Sequence, residues 1–206
     1  AITTVAAGAN PQSLAVNPVT NQVYVANYGS ANVTVIDGAT NATSTVAAGA
    51  TPYSVAVNPL TNKIYVGNYN SNDVTVIDGS TNATSTIAAG ANPQSVSVNP
   101  VTNKVYVVNV SGNSVTVIDG ATSATATVAV GTTPAGVAVN PVTNKIYVAN
   151  ATSNDVTVID GATNLATTAA AGTNLLAVAA NPLTGKVYTA NYGSANVTVI
   201  DGATNA

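Results

Sequence analysis

Cysteine, histidine, methionine, tryptophan, phenylalanine, arginine and glutamate are all absent from the 206 residues. Each absence closes a chemical option. Without cysteine there are no disulfides and no thiolate chemistry. Without histidine the usual general base is gone, the commonest transition-metal ligand is gone, and a Ser-His-Asp triad cannot be built. Seven aspartates and four lysines supply all the side-chain charge, leaving a net −3. No basic cluster is present to neutralise phosphates, so no nucleic-acid partner is expected. No apolar run approaches the ~18 residues that a membrane helix needs, and no secretory signal is visible. The chain opens Ala1-Ile2-Thr3 without an initiator methionine, which reads as a processed or truncated product.

What the sequence has is repetition. Asn-Pro recurs at Asn17-Pro18, Asn58-Pro59, Asn99-Pro100, Asn140-Pro141 and Asn181-Pro182, each step being 41 residues. The string VIDG keeps the same step, with its aspartate at Asp37, Asp78, Asp119, Asp160 and Asp201. So does a tyrosine, at Tyr24, Tyr65, Tyr106, Tyr147 and Tyr188. A period of this length is the mark of a repeat architecture. Residues 27–42 return unchanged as residues 191–206, which is the same period at its cleanest. Residues 1–206 therefore read as one domain of five 41-residue repeats.

Each repeat reads as four short strands. In the second they are YSVAVNP, KIYVGNY, DVTVIDG and ATSTIAAG. All are rich in β-branched residues and tyrosine and are bounded by Asn, Pro, Gly and Asp. The Pro of NPLTN fixes φ, and its Asn residues supply turn hydrogen bonds. The Gly of DGSTN is expected to take positive φ. Strands such as KVYVVN are apolar on both faces, as in a sheet covered on both sides. Four-stranded sheets repeated about every 40 residues predict an all-β propeller, in which each blade packs between two others. A β-solenoid is the rival, although its coils usually repeat over fewer residues.

The segments NKIYVGN, NKVYVVN and NKIYVAN, each followed by VTVIDG and an Ala/Gly-rich strand, resemble the YVTN-type β-propeller repeat. The resemblance spans all five units. It implies that SVAVNP strands come first, at the central channel, then KIYV and VTVID, with TSTIAAG outermost. It also implies a secreted or surface-layer setting. Two departures stand out: such propellers commonly have seven blades, and Leu175 replaces the proline found at Pro11, Pro52, Pro93 and Pro134. The second predicts a looser entry to the first strand of the last unit.

By register, residues 2–8 (ITTVAAG) form an outermost strand, and the last unit lacks one. The expectation is a propeller of five four-stranded blades, the last completed by the amino-terminal strand of its own chain or of a neighbour. Closure within a chain acts at an effective concentration on the order of millimolar, which favours the ring. Strand donation to a neighbour, or a window cut from a longer array, comes second.

The candidate chemistry is thin. The VIDG aspartates lie one per repeat, whereas calcium needs roughly six to eight converging oxygens. Their expected role is turn capping, as it is for Asp73 and Asp155. No metal, cofactor or catalytic residue is predicted, and the chain is not expected to be an enzyme. The Tyr24 series should pack between blades with its hydroxyls bonded at an edge. Tyr28, Tyr69 and Tyr192 end their strands and are candidate rim residues for stacking on sugars. The triplet N-x-[ST] occurs at Asn32, Asn41, Asn82, Asn109, Asn150 and Asn196, which are candidate N-glycosylation sites. The leading expectation is a non-enzymatic extracellular or cell-surface scaffold that self-associates, into filaments or a surface layer, and carries glycans. The alternative is a lectin-like module with one shallow site per blade.

Overall fold

The computed structural model describes residues 2–206, and every regular element among them is a strand. The chain divides into two compact units, Ala1–Val96 and Ser97–Ala206. The first unit contains two four-stranded sheets. One consists of β1 (Pro11–Asn17), β2 (Gln22–Asn27), β3 (Asn32–Asp37) and β4 (Thr43–Ala47). The other consists of β5 (Pro52–Asn58), β6 (Lys63–Asn68), β7 (Asp73–Asp78) and β8 (Thr84–Ala88). The unit boundary falls inside β9 (Pro93–Asn99), the first strand of a third sheet with β10 (Lys104–Asn109), β11 (Ser114–Asp119) and β12 (Thr125–Ala129). The second unit continues with β13 (Pro134–Asn140), β14 (Lys145–Asn150), β15 (Asp155–Asp160) and β16 (Ala166–Ala170). It ends with β17 (Leu175–Ala180), β18 (Lys186–Asn191) and β19 (Asn196–Asp201). Strand order follows chain order in every sheet.

The turns explain the punctuation of the sequence. Asn17 Oδ1 accepts from the amides of Val19 and Thr20, so the side chain folds the NP turn onto itself. The left-handed position of that turn is held by Asn21 at φ 53° and, in the later repeats, by Asn62, Asn103 and Asn144. In the Asp-Gly turns the expectation fails: the glycine does not take positive φ. Asn41 and Asn82 do so instead, three residues further on, at φ 60° and 59°. The glycine is there for close approach. A Cβ on Gly38 would stand 2.8 Å from the Asn21 carbonyl oxygen, which also accepts the Gly38 amide hydrogen bond.

Packing is pairwise within each unit. In the first, Tyr24, Ala26, Val33 and Val35 of one sheet meet Val55, Ile64, Val66 and Ile77 of the next. In the second, Tyr147, Ala149, Val156 and Val158 meet Leu175, Val187 and Ile200 in the same register. Alternation puts Tyr24 and Val23 on opposite faces of β2. Leu175 is buried and pairs with Asn191 as Pro134 pairs with Asn150, with the same bulge one residue on. The entry to β17 is therefore no looser than the others, because leucine replaces the proline ring as core.

The fifth sheet has three strands, and residues 2–7 form none, with Ile2 99% exposed. The expected completion of the last sheet by the amino-terminal strand is not formed here. β4, β8, β12 and β16 each bury a single side chain.

Candidate functional site

The five VIDG aspartates are turn caps. Asp37 Oδ1 accepts from the amides of Ala39 and Thr40 and from the Thr40 hydroxyl, at 2.8–2.9 Å. Asp119 and Asp160 repeat this arrangement. These bonds, the Thr40 amide first, hold the Asp37 carboxyl below the usual carboxylate range, and the same cause acts on Asp78, Asp119 and Asp160. Asp73 and Asp155 instead take the side-chain amides of Asn68 and Asn150, each at 2.6 Å. No group of three or more Asp side chains able to hold a metal ion occurs among the described residues.

Two of the candidate glycosylation asparagines are core side chains. Asn109 and Asn150 are fully buried. Asn109 Nδ2 donates to Ser114 Oγ and Thr116 Oγ1, and Asn150 Nδ2 to Asp155 and Thr157. These amides are hubs that tie the second strand of a sheet to the third. Asn41 and Asn82 are exposed at the ends of the Asp-Gly turns. Asn32 is half-buried and Asn196 exposed, and each Oδ1 accepts from the hub asparagine beside it, Asn27 or Asn191.

The tyrosines separate into two sets. Tyr24, Tyr65, Tyr106 and Tyr147 are core side chains. Tyr24 donates to Gln22 Oε1 at 2.8 Å, but the hydroxyls of Tyr106 and Tyr147 have no partner, contrary to the expected edge bonds. Burial, with Asp160 nearby, pushes the Tyr106 phenol up to about 12. The strand-end set gathers in the first unit. Tyr28 stands edge-on to Tyr53 with ring centroids 6.1 Å apart, and Tyr53 lies 5.7 Å from Tyr69. Sequence reasoning missed Tyr53. In the other repeats its place is taken by Gln12, Gln94, Ala135 and Leu176, so the trio is built once rather than once per repeat. Tyr192 is exposed and lies in the second unit.

Two sheet faces stand open. In the first unit, Leu14 on β1 is 64% exposed, whereas its counterpart Val55 on β5 is 6% exposed. Val16 is exposed beside it, and Val23 is only half-buried where Ile64 is buried. In the second unit the open face is that of β17, β18 and β19. It presents Tyr188, Ala190, Val197 and Val199, the counterparts of the buried Tyr24, Ala26, Val33 and Val35. Two shallow apolar depressions indent it, lined by Leu176, Tyr192 and Val197 in one and by Val178, Tyr188 and Val197 in the other. No helix long and apolar enough to cross a membrane occurs among the described residues.

No protein-family model matches the chain, and no curated protein matches it. Solved structures do. A chain of a nidogen/laminin complex superposes with a TM-score of 0.74 at 14% identity, over 95% of this chain and 77% of that one. A chain of hydrazine synthase from Kuenenia stuttgartiensis superposes with a TM-score of 0.57 at 15% identity, over 97% of both chains. With the repeated antiparallel sheets, these likenesses give the chain a β-propeller fold.

Proposed function

We propose that the chain is a non-enzymatic scaffold of the YVTN type, working outside the cell or at its surface and associating with itself. The observation that carries this reading is the apolar open face of β17, β18 and β19. Contiguous exposed apolar surface rimmed by polar residues marks a site of association. The rest of the surface fits that role, with few charges to keep neighbours apart and with Asn41 and Asn82 available to carry N-glycans. Electron microscopy of native material tests it. Ordered fibres or sheets support the scaffold, and dispersed particles at every concentration count against it.

A lectin-like role is the second reading, favoured by the Tyr28–Tyr53–Tyr69 cluster. Aromatic rings pack well against the apolar faces of sugars while their hydroxyls bond outward. A glycan array decides it: saturable binding that Tyr53→Ala abolishes supports a single sugar site, and a blank array removes it.

A further inference from the structure

The two open faces are the two halves of one interface that the chain already makes internally. We infer that the occupant of the open face of β17, β18 and β19 is the β1–β2 face of a second copy of this chain, docked head to tail. The proposal rests on the self-associating reading above and gives it a partner and a register.

The interior packing supplies the template. In each unit, the face carrying a tyrosine of the Tyr24 series packs on the next sheet's Ile64-type and Val55-type side chains. Tyr188 is the last tyrosine of that series, and Leu14 and Val23 hold the Val55 and Ile64 positions in the first sheet. Leu14 and Tyr188 are exposed and Val23 is only half-buried, where their counterparts are buried.

The polar contacts carry the register independently. Asn17 Nδ2 donates to Asn62 Oδ1, and Asn99 Nδ2 to Asn144 Oδ1, both 45 positions on. Lys104 and Lys145 donate their ammonium groups to the carbonyls of Gly161 and Gly202, both 57 positions on. Asn181 and Lys186 are the last members of these two series, Asn181 following β17 and Lys186 opening β18. In the repeat, the matching acceptors are Asn21 and Gly38 of the second copy. Donors stand at one end of the chain and acceptors at the other, in one register.

The missing strand fits the same docking. Val33 pairs with Val46 and Val35 with Ser44 across β3 and β4. By the repeat, Val197 and Val199 would pair with Val5 and Thr3 of the second copy. The contact is heterologous, so each copy keeps one face open for another, and growth continues unless the rotation closes a ring.

The test uses the whole chain and two variants altered at exposed positions, Leu14→Asp and Val197→Asp, with circular dichroism to check that both fold. The wild type should grow beyond a dimer as concentration rises in sedimentation velocity. Each variant alone should remain monomeric, and their equimolar mixture should stop at the dimer, since one intact half comes from each. Variants that still assemble, or a mixture that stays monomeric, overturn the register while leaving the scaffold reading in place. A wild type that is monomeric throughout overturns both. Because the chain has no cysteine, a Thr3→Cys, Val199→Cys double variant gives a second readout. Oxidation should produce a ladder of linked copies. Linkage only within single chains would show closure on the same molecule and overturn the proposal. No linkage at all overturns it as well.

Discussion

Asn17 and Asn62 bind the first sheet to the second through one bond, from the Asn17 side-chain amide to Asn62 Oδ1 at 2.7 Å. Asn140 should make the same bond in the second unit, but the residue in the Asn62 position there is Gly185. Asn140 Nδ2 is consequently buried without a partner.

Gly185→Asn restores the acceptor. Gly185 already holds φ at 69°, nothing lies within 4 Å of its Cβ position, and asparagine tolerates that conformation. The substitution should stabilise the chain by about 1 kcal/mol, one net hydrogen bond. A higher midpoint in urea denaturation, with unchanged slope, is the expected result.

The core tyrosines should respond differently to loss of the hydroxyl. Tyr24→Phe gives up the bond to Gln22 and should cost about 0.5–1.5 kcal/mol. Tyr106→Phe removes a buried hydroxyl that has no partner, so it should be neutral or stabilising. The phenol of Tyr106 is pushed up to about 12, burial being the main cause. Its neutral form is therefore favoured in the folded chain. That contribution is complete below the ordinary tyrosine value of about 10 and is lost as pH rises through about 12. Tyr106→Phe should accordingly make the alkaline limb of the stability curve shallower.

At the acid end the sign reverses. The carboxyls of Asp37, Asp78, Asp119 and Asp160 are lowered, first by a backbone amide in each turn. Their contribution is present above the ordinary aspartate value of about 3.9 and is lost as pH falls through the lowered folded values. Replacing all four with asparagine keeps an acceptor oxygen and removes the titration. Thermal melts of that variant should vary less with pH below about 4 than those of the wild type.

Peptide mapping of native material should find Asn109 and Asn150 bare. If the chain carries N-glycans, they should sit on the exposed turns at Asn41 and Asn82. A hexosamine adduct on Asn109 would require β10 to lose the hub that joins it to β11, so finding one would refute the placement of that side chain.

The period of Asn17, Asp37 and Tyr24 made the strand order legible, because each residue type does a local job wherever it recurs. What a repeat cannot disclose is the neighbour. Residues 27–42 and 191–206 are identical, and their hub bonds agree within a few tenths of an ångström. Yet Val33 is 0% exposed and Val197 61%. Nothing in the sixteen letters differs; a sheet lies over one copy and not over the other. The same limit hid Tyr53, whose ring meets Tyr28 from an adjacent sheet, although its departure from Gln12 and Gln94 was a visible signal. The triplets at Asn109 and Asn150 misled because the side chain that makes them acceptors in sequence is the one the fold uses to join two strands. The Asp-Gly glycines misled because a glycine can be required by crowding as well as by φ.

The single buried side chain of β4, β8, β12 and β16 makes each the least anchored strand of its own sheet. Under tension or heat these strands should peel away first, each giving up one buried side chain while the other three strands of its sheet keep their apolar contacts. Amide exchange would sweep inward from them, and damage at the margin would leave the inner framework standing.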